Sequence, residues 1–207
     1  MRKIVQSRLA FSACFVKGFM RYSILLLLAY ALLPGAAMAK AHENLVYSYY
    51  EVKARSDQPL SAQLYAASPI KEEGQTFHGH TNWTLQWTLK LSADKSGFCR
   101  ISSAKTQLHA VVILPKLDGA NTQQLASFDR YVAALQQHEL GHYKIAEQAA
   151  QAIEHKLHAV KGMRNCATLQ AYANKNAQRT LDYFNEKNRQ YDRETNHGQM
   201  QGAWLHD

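Results

Sequence analysis

HTNWTLQWTLKLS, residues 80–92, alternates with a period of two. Thr81, Trp83, Leu85, Trp87, Leu89 and Leu91 fall on one side, and Asn82, Thr84, Gln86, Thr88 and Lys90 on the other. Successive side chains of a strand point to opposite faces, so the stretch predicts a half-buried antiparallel strand with a two-tryptophan core face. Asp94, Lys95, Ser96 and Gly97 make a turn, and 98–114 (FCRISSAKTQLHAVVIL) returns as the partner strand, which Pro115 is expected to stop. Upstream, 44–54 (NLVYSYYEVKA) is rich in Val and Tyr and reads as a further strand. Between the two, 56–69 carries Leu60, Leu64 and Ala67 at helical spacing before Pro69, which suits a short helix.

Downstream of Asn121 the period changes. Phe128, Val132, Leu135, Ile145, Ala149, Ile153 and Leu157 recur at spacings near multiples of 3.6, ending at Lys161-Gly162. A second helix over 167–192 carries Leu169, Tyr172, Ala173, Ala177, Leu181 and Phe184, and the polar tail 193–207 with Gly198 and Gly202 reads as a loop. Strands first and helices after predict an α+β domain, a small antiparallel sheet followed by two long helices against one face. One domain over 40–207 accommodates this, strand-rich over 44–116 and helical over 121–192.

The N-terminus has a different character. Arg2, Lys3, Arg8, Lys17 and Arg21 are basic, no acidic residue precedes Glu43, and an apolar run over 24–33 leads to Ala37-Met38-Ala39. This order reads as a secretory signal peptide over 1–39 cleaved after Ala39, with Met20 as an alternative start. Removing it leaves 19 of the 24 basic residues against 16 acidic ones, a net charge of +3 rather than +8. No basic cluster with interleaved aromatics remains, which excludes nucleic acid as an expected partner, and no second apolar run would keep the mature chain in a membrane. A periplasmic or secreted protein follows. Cys14 leaves with the signal, so Cys99 and Cys166 are expected to form one disulfide, closing a 67-residue loop.

Inside the first long helix lies His138-Glu139-Leu140-Gly141-His142, an H-E-x-x-H pattern. Residues four apart on a helix are about 40° apart around its axis, so both imidazoles can address one ion at about 2.0 Å. Glu139, offset by about 100° from His138, stands beside that ion as the general base for a zinc-activated water. One Zn2+ per chain and a protein or peptide substrate are the corresponding expectations. Gly141 costs about 1 kcal/mol in a helix interior, which makes sense if something approaches that turn closely.

A catalytic zinc takes three protein ligands. Glu147 is about half a turn away around the helix from His138, and Glu154, His155 and His158 are too far along it. The third ligand is therefore expected elsewhere. His197 is the first choice because Gly198 lets the chain come close, with Asp192, Glu186 and Glu194 competing. His78, His80 and His109 are expected to be structural.

HELGHYKIAE (138–147) followed by YDRETNHG (191–198) resembles the bacterial family of predicted secreted zinc-dependent proteases, long filed as a domain of unknown function. The resemblance extends through TNWTLQW (81–87), Cys99-Arg100-Ile101, Leu114-Pro115 and Cys166, nearly the whole mature chain. It implies a zincin-like fold built on the motif helix, a periplasmic or extracellular location, and peptidase activity centred on His138, Glu139 and His142. Its recurrent Tyr-Asp-x-x-Thr-x-His-Gly stretch gives further weight to His197. It also draws in Tyr191, Asp192 and Thr195 nearby, with Tyr191 and Asp192 as contacts behind the ligands or with the transition state. The alternative expectation is a non-catalytic envelope binding or assembly protein whose metal is structural or absent.

Overall fold

The computed structural model describes residues 42–72 and 74–205; the segment read as a signal peptide lies outside them. Strands β1 (His42–Lys53), β4 (His80–Ala93) and β5 (Cys99–Asp118) form a three-stranded sheet in the order β1-β5-β4. Helix α1 (Leu60–Ala67) and a hairpin of β2 (Ile70–Glu72) and β3 (Gln75–Phe77) fill the connection from β1 to β4. Two long helices follow, α2 (Thr122–His158) and α3 (Cys166–Thr195), and then a 3-10 turn (Gln199–Gln201). The architecture is α+β, with both long helices after the sheet.

β4 and β5 pair antiparallel from Ala93↔Cys99 to His80↔Ile113, as their alternation predicts. β1 corrects the expectation of a wholly antiparallel sheet, since it runs parallel to β5 from His42↔Gln107 to Lys53↔Asp118. The intervening α1, hairpin and β4 supply the long crossover that parallel pairing requires. Pro115 does not stop β5, which continues to Asp118. β4 begins only opposite Ile113, so Pro115 has a neighbouring strand on one side alone, where a missing N–H is tolerated.

Asn121 caps α2 with its side chain on Gln124 N at 2.9 Å, while the Gln124 side chain accepts from Asn121 N at 3.1 Å. α2 ends at His158, four residues before the expected glycine. Gly162 has another use, since a Cβ there would lie 2.7 Å from Cys99 O, beside the short Cys99↔Met163 bridge.

α2 spans two apolar clusters. Near its start Phe128, Tyr131 and Leu135 pack with Val52, Leu64, Val112 and Leu114. Near its end Ala146, Ala149, Ala150, Ile153 and Leu157 pack with Leu85, Trp87, Leu89 and Leu108 of the sheet and Leu181 of α3. Each fully buried Leu or Ile contributes about 1.5–3 kcal/mol. Polar ties fix the layers: Glu154 Oε2 accepts from Thr106 N and Oγ1, both at 2.8 Å, and Trp87 Nε1 donates to Asn174 Oδ1 at 3.0 Å. The Cys99–Cys166 disulfide forms, joining the start of β5 to the start of α3. Its 67-residue loop corresponds to about 4 kcal/mol in the chain-entropy model.

Candidate metal centre

The turn 138–142 lies between the two clusters, where α3 and the tail close over α2. His138 and His142 are buried, and their Nε2 atoms face each other at 3.1 Å. Asp192 Oδ1, from α3, lies 3.3 Å from His138 Nε2 and 2.9 Å from His142 Nε2. Three donors held about 2.0–2.1 Å from a tetrahedral zinc would stand about 3.3 Å apart, so the triangle has the size the ion needs. Among the described residues, these three are the group able to share an ion.

The far sides of both rings are fixed. His142 Nδ1 meets Asn188 Oδ1 at 2.9 Å, and His138 Nδ1 meets Gln201 Oε1 at 2.9 Å, with Thr195 Oγ1 at 3.4 Å. An amide oxygen only accepts, so each imidazole donates from Nδ1, which leaves Nε2 to turn a lone pair to the common point when an ion is bound there. Tyr191 stacks on the His138 ring at 4.9 Å and 12°, and its hydroxyl donates to His138 O at 3.3 Å. The residue type and both Nε2 directions therefore suit a divalent ion of borderline softness such as zinc.

Burial disfavours the imidazolium of His142, but the hydrogen bond and charge of Asp192, with Glu139 adding, outweigh it and raise its pKa. Burial likewise acts against the Asp192 carboxylate, and hydrogen bonds from His138 and His142 more than reverse this, holding it far below the usual range. Both shifts share one cause, the pairing of the Asp192 carboxylate with His142. Glu139 differs. Burial pushes its carboxyl above the usual range, against the pull of His142 and of the Thr81 hydroxyl. Thr81 Oγ1 reaches Glu139 Oε2 at 2.7 Å and Glu139 O at 2.9 Å.

His197, the first choice for third ligand, lies outside the group of three donors that could share an ion. Its Nδ1 is 3.6 Å from Asp192 Oδ1, about half its surface is exposed, and its ring packs on Phe77 at 5.0 Å. Asp192 stands with the two histidines because α3 runs alongside α2 and brings its last turns over the motif. Glu186 is paired with Arg189 and Arg193, and Glu194 accepts from Gln190, so neither joins the centre. Of the other histidines, His78 Nδ1 bonds Tyr131 Oη at 2.7 Å and His80 Nε2 is 3.6 Å from Glu72. Both line the same cleft as the centre, while His109 is exposed on the sheet.

Three glycines permit the packing. A Cβ on Gly141 would collide with the Tyr191 ring, which is the close approach its position in the helix suggests. A Cβ on Gly198 would fall 2.9 Å from His138 Cγ, and one on Gly79 would fall 2.7 Å from Glu139 Oε1. Asn188, Gln201, Thr81 and Gly79 are not identified by the motif. A signal for Asn188 exists, since it stands four residues before Asp192 on a helix face otherwise occupied by Leu181 and Phe184.

The centre opens into a cleft of about 570 Å³ bounded by the β2–β3 hairpin, α2, the end of α3 and the tail through Leu205. Among the described residues, no helix is long and apolar enough to cross a membrane. No curated protein and no solved structure shows significant similarity to the chain. Residues 47–198, which span most of the sheet, both long helices and every residue of the His-His-Asp triangle, match the model of the family described as "Bacterial protein of unknown function (DUF922)", and the chain belongs to that family.

Proposed function

We propose that the chain is a secreted or periplasmic zinc-dependent metallopeptidase. The observation that carries this reading is the convergence of His138 Nε2, His142 Nε2 and Asp192 Oδ1 beside the Glu139 carboxyl on an open cleft. Zinc bound by these three would polarise a peptide carbonyl and lower the pKa of a bound water to about 7. Glu139 is the base that takes the proton from the attacking water and delivers it to the leaving amine. Thr81 fixes its Oε2, and Gly79 leaves Oε1 without a side chain against it.

His197 becomes a substrate contact in this scheme instead of a ligand. Asn196 and His197 both hold left-handed backbone, at φ 47° and 50°, a conformation maintained at a cost of about 1–3 kcal/mol where neighbouring structure enforces it. Held between Phe77 and Asp192 at the cleft wall, its imidazole would donate to the oxygen of the carbonyl under attack. A non-catalytic protein with a structural metal would need a fourth ligand, and no fourth His, Cys, Asp or Glu joins the set among the described residues. The disulfide supports an oxidising compartment.

The test is elemental analysis of the mature protein together with peptide hydrolysis. One zinc per chain, lost in the His138→Ala/His142→Ala double variant, is expected. Glu139→Gln should keep the zinc and lose activity by about 10²–10⁴-fold. Unchanged turnover in Glu139→Gln would end the mechanism; no zinc in the wild type would leave the envelope binding protein as the better reading.

A further inference from the structure

Among the described residues, the cleft walls carry His78, His80 and His197 but no Lys or Arg. A carboxylate on the substrate therefore meets no permanent cation near Glu139. Toward the start of α2 the cleft adjoins a second depression of about 300 Å³, lined by Ser127, Arg130, Tyr131, Gly202, Trp204 and Leu205. Tyr131, Trp204 and Leu205 line both, so the two adjoin at these three side chains. Gly202, at φ 92°, turns the chain after the 3-10 turn and brings Trp204 to that junction with 53% of its surface exposed. A half-exposed tryptophan beside a cleft is a platform for apolar parts of a ligand.

Arg130 is the one permanent cation lining either depression among the described residues. Its guanidinium contacts the Ser127 hydroxyl at 3.5 Å and pairs with no carboxylate among those residues. It stands eight residues before His138 on the same helix, a rise of about 12 Å. An extended peptide covers that distance in about three or four residues.

We propose that this second depression is a subsite for a substrate carboxylate, read by Arg130 about three or four residues from the scissile bond. Trp204 and Tyr131 flank the residues between. The proposal rests on the peptidase reading and specifies its substrate. An Asp or Glu side chain and a peptide's own C-terminus present the same two oxygens to the guanidinium fork.

A mixed peptide library, with free and with amidated C-termini, is digested by the zinc-reconstituted wild type and by the Arg130→Ala and Arg130→Glu variants. The cut sites are read by mass spectrometry. Arg130 is on the exposed side of α2, and melting curves confirm that each variant is folded. The wild type should favour a carboxylate at the third or fourth residue on one side of the cut, about fivefold over Asn or Gln, as expected for a partly exposed pair. Arg130→Ala should erase the preference and Arg130→Glu should turn it toward Lys and Arg. A preference carried by internal Asp or Glu survives amidation; one carried by the terminus disappears with it. Cleavage with the same preferences in all three proteins overturns the subsite and leaves the peptidase standing. No cleavage by the wild type overturns both.

Discussion

The turn 138–142 and the turns at 146–157 lie along α2 and are buried to the same degree, yet they are held in opposite ways. In the later segment Ala146, Ala149, Ala150, Ile153 and Leu157 are fully buried, and contact with the sheet and with α3 is enough. In the earlier one His138, Glu139 and His142 are also nearly inaccessible, at 2%, 3% and 6%. Buried polar groups cost several kcal/mol unless each finds a partner, so this segment needs Asn188, Asp192, Gln201 and Thr81 in position. Most of those partners come from α3 and the tail. The apolar segment anchors the helix, and the polar segment depends on that anchoring.

Substitutions should separate these roles, and the largest effect belongs to the ligand. Structural zinc sites hold their ion with about 10–16 kcal/mol, so losing one ligand corresponds to roughly 4 kcal/mol, near three orders of magnitude in affinity. Asp192→Ala should show that loss by competition with a chromophoric chelator. His197→Ala should keep the wild-type zinc affinity and lose turnover. If His197→Ala lost the metal and Asp192→Ala did not, the assignment of ligand and substrate contact would be reversed.

Next in size is the anchor. Ile153→Ala removes a fully buried side chain between sheet and helices and should cost about 3 kcal/mol in denaturant unfolding. Zinc affinity of the folded fraction should not change. A variant that lost affinity in parallel with stability would show that the two segments of α2 are not separable.

What the sequence made legible follows the same division. The two-residue period of 80–92 and the 3.6-residue period beyond 121 are local signals, and both elements form where those signals lie. H-E-x-x-H is local too, because a single helix sets the spacing of its histidines. Asp192 was one of four candidates because its place depends on how α3 docks on α2, which no local pattern encodes. Gly198 was a sound signal of close approach attached to another partner: it admits the His138 ring to the tail, and the carboxylate that meets both His138 and His142 is that of Asp192, about one turn earlier. The parallel direction of β1 was hidden for the same reason, since a strand's own sequence does not name its neighbour.

The smallest effect is the most diagnostic, because its sign is expected to change. In an ordinary helix interior Gly→Ala is stabilising by about 1 kcal/mol. At Gly141 the new methyl would meet Tyr191 Oη, Cζ and Cε1, the rigid part of a ring stacked on His138. Gly141→Ala should therefore displace Tyr191, loosen the support of His138 and Gln201, and lower zinc affinity about tenfold, the effect typical of contacts behind a ligand. With Tyr191→Ala already in place the obstacle is gone, and the same Gly141→Ala change should raise the melting temperature, as helix propensity alone dictates. The double-mutant cycle isolates the contact between the two residues from the propensity of either. Equal effects of Gly141→Ala in both backgrounds would mean that the glycine is not there for the tyrosine, and the polar segment of α2 would have more tolerance than its crowding implies.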